Sequence, residues 1–125
     1  MDLSFWVEND HHLSIIHLRG RLSAENIFLM REIWDTQVKL QPKTIAMDCR
    51  DLVTADVSAL KTLVSFLNIA ISHGINFLLL DLNSALKRIL KDNGLINYFQ
   101  IYSKFEFETK SGKRIRKTEA YSFTS

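Results

Sequence analysis

The sequence predicts a single α/β domain built on a mostly parallel or mixed sheet of four to five strands. Three observations carry that expectation. Short apolar stretches near residues 3–7, 13–18, 44–48 and 75–80 read as strands. After the first two, they alternate with longer stretches whose apolar residues recur at helical spacing. Gly74 and Gly94 close two of those longer stretches, where a left-handed residue commonly ends a helix. Strands that alternate with helices lie parallel, with the helices covering the sheet.

Taken in order, Leu3, Phe5 and Val7 alternate with Ser4 and Trp6 as a first strand. Asn9, Asp10, His11 and His12 supply turn chemistry, and residues 13–18, with Ile15 and Ile16, make a second strand. The two are expected to form an N-terminal antiparallel hairpin. Ser23 is the candidate N-cap of a helix over residues 24–39, which Pro42 separates from a third strand at 44–48. A helix over 57–73 follows a polar connection. It places Leu60, Leu63, Val64, Leu67 and Ile71 on one face and Lys61, Ser65, Asn68 and Ser72 on the other. Residues 75–80 form a buried fourth strand, 84–93 a short helix, and 95–102 a turn with a last short strand. That gives three to four helices in all.

The domain is expected to occupy residues 1–102, and residues 103–125 to extend it. In the extension Phe105 and Phe107 alternate with Glu106 and Glu108, which predicts an added edge strand, and a flexible basic tail follows.

Composition narrows the function classes. Charged residues are 24% and apolar ones 46% of the chain, the balance of a soluble globular protein. The longest apolar runs, such as 77–80, are four residues, far too short to span a membrane. The opening residues lack a basic segment followed by an apolar one, so no signal peptide is expected. The lone Cys49 cannot form an internal disulfide, and a reduced, cytoplasmic protein is expected. Net charge is +2. Residues 103–125 hold Lys104, Lys110, Lys113, Arg114, Arg116 and Lys117 against Glu106, Glu108 and Glu119, so the body is nearly neutral. A neutral body argues against nucleic acid as a ligand, except for weak contact through the basic stretch at 110–117.

The chain offers no recognisable catalytic or metal-binding pattern. His11 and His12 are adjacent in a turn, and neither they nor His17 stand in a spaced set with cysteines or carboxylates. Cys49 ends a buried strand with no histidine nearby in sequence, so it reads as a small core residue. The glycines are isolated, so there is no phosphate-cradling loop and no nucleotide site is expected. No enzyme activity, cofactor or metal is expected.

The segment Asp56-Val57-Ser58-Ala59 is the candidate site. It lies where a buried strand gives way to a helix, so the Ser58 hydroxyl stands at the positive end of the helix dipole. Ser58 has two readings: a capping serine that satisfies open N–H groups, or a phosphoacceptor. Asp56 reads as an N-cap. Thr54 is a turn residue or a substitute acceptor. Phe28, grouped with Glu32, Asp35 and Lys39, is expected to be an exposed aromatic.

The order of elements and several local signatures resemble the STAS domain family of sulphate-transporter tails and anti-sigma-factor antagonists. The matching stretches are Ile15-Ile-His-Leu-Arg-Gly-Arg-Leu22, Ile45-Ala-Met-Asp48, Asp56-Val-Ser-Ala59, Ala85-Leu-Lys-Arg-Ile-Leu-Lys-Asp-Asn-Gly-Leu95 and Phe99-Gln-Ile101. Together they span about residues 13–102. Phosphorylatable members read Asp-Ser-Ser-Gly at the helix start, and the second serine maps onto Ser58. Val57 and Ala59 replace the flanking serine and glycine, and Ser23 stands where an aspartate is frequent. The Cβ of Ala59 is expected to narrow a kinase's approach beside Ser58.

The resemblance implies an anti-sigma-factor antagonist that binds a kinase-type anti-sigma factor and is controlled by phosphorylation of Ser58, with a serine phosphatase reversing it. The partner surface it implies is Asp56, Val57, Ser58, Ala59, Thr62 and Phe66. The alternative is a constitutive STAS scaffold subunit of a transporter ATPase or signalling complex, without phosphoregulation.

Overall fold

The computed structural model describes residues 3–111 and 123–124. Strands β1 (Leu3–Asn9) and β2 (Leu13–Leu22) form the expected antiparallel hairpin, with Phe5 opposite Leu18 and Trp6 opposite His17. Then come α1 (Ile27–Lys39), β3 (Thr44–Ala55), α2 (Val57–Ser72), β4 (Asn76–Leu80), α3 (Ser84–Asp92) and β5 (Gln100–Tyr102). The chain continues into α4 (Lys104–Ser111) and a two-residue strand β6 (Phe123–Thr124). The sheet runs β5-β4-β3-β2-β1-β6, parallel from β2 to β5 and antiparallel at β1 and β6.

Alternation along each strand divides the sheet into two faces. Leu3, Phe5, Ile16, Leu18, Ile45, Met47, Phe77 and Leu79 form the first, buried beneath α1, α2 and α3. At its centre Trp34 of α1 stacks on Phe66 of α2, with ring centroids 4.4 Å apart and planes at 8°, and meets Phe77 edge-on at 4.9 Å. Cys49 is buried in this face, and burial pushes its thiol pKa well above the ordinary range, so it is a packing residue. Gly74 and Gly94 have φ of +69° and +70° just beyond α2 and α3. A Cβ at either would meet nothing within 4 Å, so backbone conformation, not space, selects glycine there.

Three element expectations are corrected. Helix α1 starts three residues late, and its cap position is Asn26, not Ser23. The Asn26 side chain is spent on the loop: Oδ1 accepts from Ser23 N–H at 2.9 Å and Nδ2 donates to Arg21 O at 2.8 Å. The buried face of α2 is rotated from the expected stripe. Ala59, Leu60, Thr62, Leu63, Phe66 and Ala70 are buried, Val64 and Leu67 are half-buried, and Ile71 is 67% exposed.

The third correction concerns residues 105–108, which lie in helix α4 instead of an edge strand. Ser103-Lys-Phe-Glu106 closes a capping box: Glu106 N–H donates to Ser103 Oγ at 3.0 Å, and Ser103 N–H donates to Glu106 Oε1 at 2.8 Å. Phe107 is buried on the second face of the sheet with Leu13, Ile15, Ala46, Leu78 and Leu80, whereas Phe105 is 76% exposed. Residues 112–122 of the expected tail lie outside the described residues.

The second face also buries charge. Trp6, His17 and Asp48 lie in one cross-strand row. His17, 3% exposed, places Nδ1 2.8 Å from Asp48 Oδ2 and Nε2 2.8 Å from Glu8 Oε2. The Trp6 ring stacks on the imidazole at 4.8 Å, and Lys104 Nζ of α4 reaches Asp48 Oδ2 at 3.3 Å. Burial alone pushes the Asp48 carboxyl pKa up. The His17 hydrogen bond, Arg50 N–H and the Lys104 charge together outweigh burial and hold it below the usual carboxylate range.

A depressed folded-state value means that Asp48 stabilises the fold above its unfolded value of about 3.9 and that this contribution fades as the pH falls further. Asp48→Asn is therefore expected to lower stability at neutral pH, by about 3 kcal/mol for a broken buried ionic pair. It should also flatten the acid limb of a urea-unfolding series, and an unchanged acid limb would refute this.

Candidate functional site

Strand β3 does not stop at a polar connection. It runs to Ala55, and the next residue, Asp56, is already the N-cap of α2, in extended conformation. One Asp56 carboxylate serves two segments. Oδ1 accepts from Ala59 N–H at 2.9 Å, and Oδ2 accepts from Ala24 N–H at 3.0 Å in the loop before α1. Asp56 N–H donates to Leu22 O at 3.1 Å, tying the same corner to the end of β2. Asn83 repeats the device next door, capping α3 through Leu86 N–H while its Nδ2 donates to Leu52 O.

Because Asp56 does the capping, Ser58 does not. Its side chain is exposed, and its hydroxyl has no hydrogen-bond partner among the described residues. Its carbonyl accepts from Thr62 Oγ1 at 3.0 Å, and Arg31 Nη2 of α1 donates to the same Thr62 oxygen at 3.4 Å. Val57 and Val53 flank the corner, 58% and 56% exposed, and Phe28, one turn before Arg31 on α1, is 56% exposed. Asp51 is also exposed, farther back along β3 where it pairs with Arg19.

Of the six residues expected to meet a partner, Asp56, Val57 and Ser58 stand at the surface. Ala59, Thr62 and Phe66 do not: they are 0%, 3% and 2% exposed, so their side chains present no partner surface. The Ala59 methyl is buried and forms no part of the surface beside Ser58. Thr54 is a half-buried β3 residue paired with Arg21 rather than a turn residue. Val53 carries no sequence signal because it falls in what reads as a polar connection after residue 48; in the structure it lies within β3 at an irregularity of the β2–β3 pairing, where Gly20 pairs with Leu52 and Arg21 with Thr54. The Glu8–His17–Asp48 cluster was missed too, because its members lie 9 and 31 residues apart. His11 and His12 lie exposed in the hairpin turn, and no group of metal-binding residues occurs among the described residues.

The STAS domain family profile matches residues 6–107. A search of curated protein sequences finds no match. Among solved structures, an anti-sigma factor antagonist from Mycobacterium paratuberculosis superposes with a TM-score of 0.76 at 16% identity, covering 87% of this chain and 92% of its own. Phosphorylated SpoIIAA, a Bacillus cell fate determinant, gives 0.67 at 15% identity over 87% and 99%. The SulP transporter STAS domain from Vibrio cholerae gives 0.64 at 14% identity over 84% of each chain. At such identities the likeness is one of fold. No helix among the described residues is long and apolar enough to cross a membrane.

Two substitutions separate the packing roles from the surface. Phe66→Ala is expected to destabilise the domain by about 3–5 kcal/mol through loss of the Trp34 stack. Asp56→Ala should cost about 1–2 kcal/mol as a lost N-cap. Denaturant titration measures both. A Phe66→Ala protein of unchanged stability would contradict its core placement.

Proposed function

The chain belongs to the STAS domain family, and from that premise we propose that it is a partner-switching regulator of the anti-sigma-factor-antagonist kind, controlled at Ser58. Unphosphorylated, it binds a kinase-type anti-sigma factor in the cytoplasm through the corner formed by Val53, Asp56, Val57 and Ser58. That binding frees the sigma factor. The kinase phosphorylates Ser58 and breaks the complex, and a serine phosphatase restores it. The kinase supplies ATP and the catalytic groups; this chain supplies the hydroxyl and is not itself an enzyme.

The observation that carries this reading is the exposed, unengaged Ser58 hydroxyl beside a cap already provided by Asp56. A phosphate there adds about −1.5 to −2 charges at neutral pH. At the N-terminus of α2 the dipole favours that charge, so the fold has no reason to rearrange. The surface changes instead. Exposed Val53 and Val57, which suit an apolar contact, would share the corner with a dianion and the carboxylate of Asp56.

The same exposed valines favour a second reading, a constitutive STAS scaffold docked on a transporter ATPase or signalling complex. Co-purification separates the two: a kinase in the first case, a transporter ATPase in the second.

Phosphopeptide mapping of the protein from its native cells, beside a Ser58→Ala version, is expected to find phosphate on Ser58 and none in the variant. Ser58→Asp is expected to weaken binding to the kinase by tenfold or more, about 1.4 kcal/mol. Ser58 unmodified under all growth and stress conditions, or an unchanged affinity, would sink the switch and favour the scaffold.

A further inference from the structure

On the second face of the sheet, the His17 ring sits between two carboxylates, each with an oxygen 2.8 Å from a ring nitrogen. A neutral imidazole has one N–H and one lone pair, so it can donate to only one of them. The other nitrogen would then face a carboxylate oxygen with no hydrogen between them. The missing proton must lie on the ring or on a carboxyl group. Asp48 already accepts from Arg50 N–H and faces the Lys104 ammonium, which suits an anion. The Glu8 side chain, 17% exposed, keeps contact with water that suits an anion, and the ring lies between two carboxylates, so the proton belongs on nitrogen.

Two further features agree. The Trp6 ring lies parallel to the imidazole, 4.8 Å between centroids and 8° between planes, and an aromatic face attracts a cation. With a charged ring the charges balance: two carboxylates against one imidazolium and one ammonium. Glu8 from β1, Asp48 from β3 and Lys104 from α4 are the charged groups facing the ring among the described residues.

We infer that in the folded chain His17 carries a proton on both ring nitrogens, making Glu8, His17, Asp48 and Lys104 a charge-balanced clasp across β1, β2, β3 and α4 that opens at the Glu8 end when one proton leaves. The direction of opening follows from what each carboxylate retains. Asp48 keeps Lys104, Arg50 N–H and the remaining ring N–H. Among the described residues Glu8 has the ring alone as an ion-pair partner, and its side chain, 17% exposed, is closer to water. Loss of a ring proton therefore releases Glu8, and with it the end of β1 beside the hairpin turn, while α4 stays fastened through Lys104 and the buried Phe107. The device is a proton-sensitive fastening of the hairpin, placed on the face of the sheet opposite α1, α2 and α3 and independent of the Ser58 corner.

The test uses the intact chain, labelled with nitrogen-15. At about pH 7.5 an ordinary histidine is mostly neutral. The expected result is that both His17 nitrogens resonate as protonated there. On raising the pH, Nε2 should lose its proton, and amide protection at the β1–β2 pairs flanking Glu8, taken relative to the base-catalysed intrinsic exchange rate, should fall tenfold or more in step. Protection in α4, on the same scale, should stay flat. Glu8→Gln should move the loss of the ring proton to lower pH, and Lys104→Met should speed exchange in α4 but not in β1. A His17 nitrogen already bare at pH 7.5 would overturn the inference. So would β1 protection that ignores the ring's titration.

Discussion

The joint on which the molecule turns is the Asp56 carboxylate. Twelve residues of β3 end without a loop, and the chain must reverse at once into a helix whose first N–H groups lack partners. One side chain resolves this by accepting from the helix it starts and from the loop that enters α1. The ends of β2 and β3 and the starts of α1 and α2 are thereby fixed to one another. Ser58 inherits its position from that arrangement: it is presented because its neighbour has taken over the structural duty a serine there would otherwise perform.

The two faces of the sheet use different physics. On the first, aromatic stacking around Trp34 and a near-continuous apolar layer remove a large area from water, the dominant favourable contribution to folding. On the second, a smaller apolar patch is completed by a row of buried charges whose value depends on each having its partner. The first face tolerates exchange between apolar residues of similar size, whereas the second ties the geometry of β1, β2, β3 and α4 to specific groups.

The architecture was legible in the sequence because periodicity, turn residues and the two helix-ending glycines agreed with one another. It failed where two local signals competed. Phe105 and Phe107 alternate like a strand, but Ser103 and Glu106 form a capping box and only one of the phenylalanines is buried. Helix α2 is apolar around much of its circumference, so spacing alone could not say which face turns inward. The choice falls to a tertiary contact, the stack of Trp34 on Phe66. At the site, sequence identified the corner and Asp56 as its cap, but not the bond to Ala24 or the burial of Thr62, both set by segments far away in the chain.

The sheet is also unequal in what its pairings cost to close. The β1–β2 hairpin closes a three-residue turn, whereas every parallel pair from β2 to β5 requires a crossover through a helix. Bringing distant chain ends together costs more entropy than a tight turn, which makes the hairpin the cheapest place for order to begin. The Ser58 corner stands at the other extreme. Asp56 has no Leu22 carbonyl or Ala24 amide to meet until the β2–α1–β3 crossover is closed, so the site exists only in a chain that has completed its long-range folding.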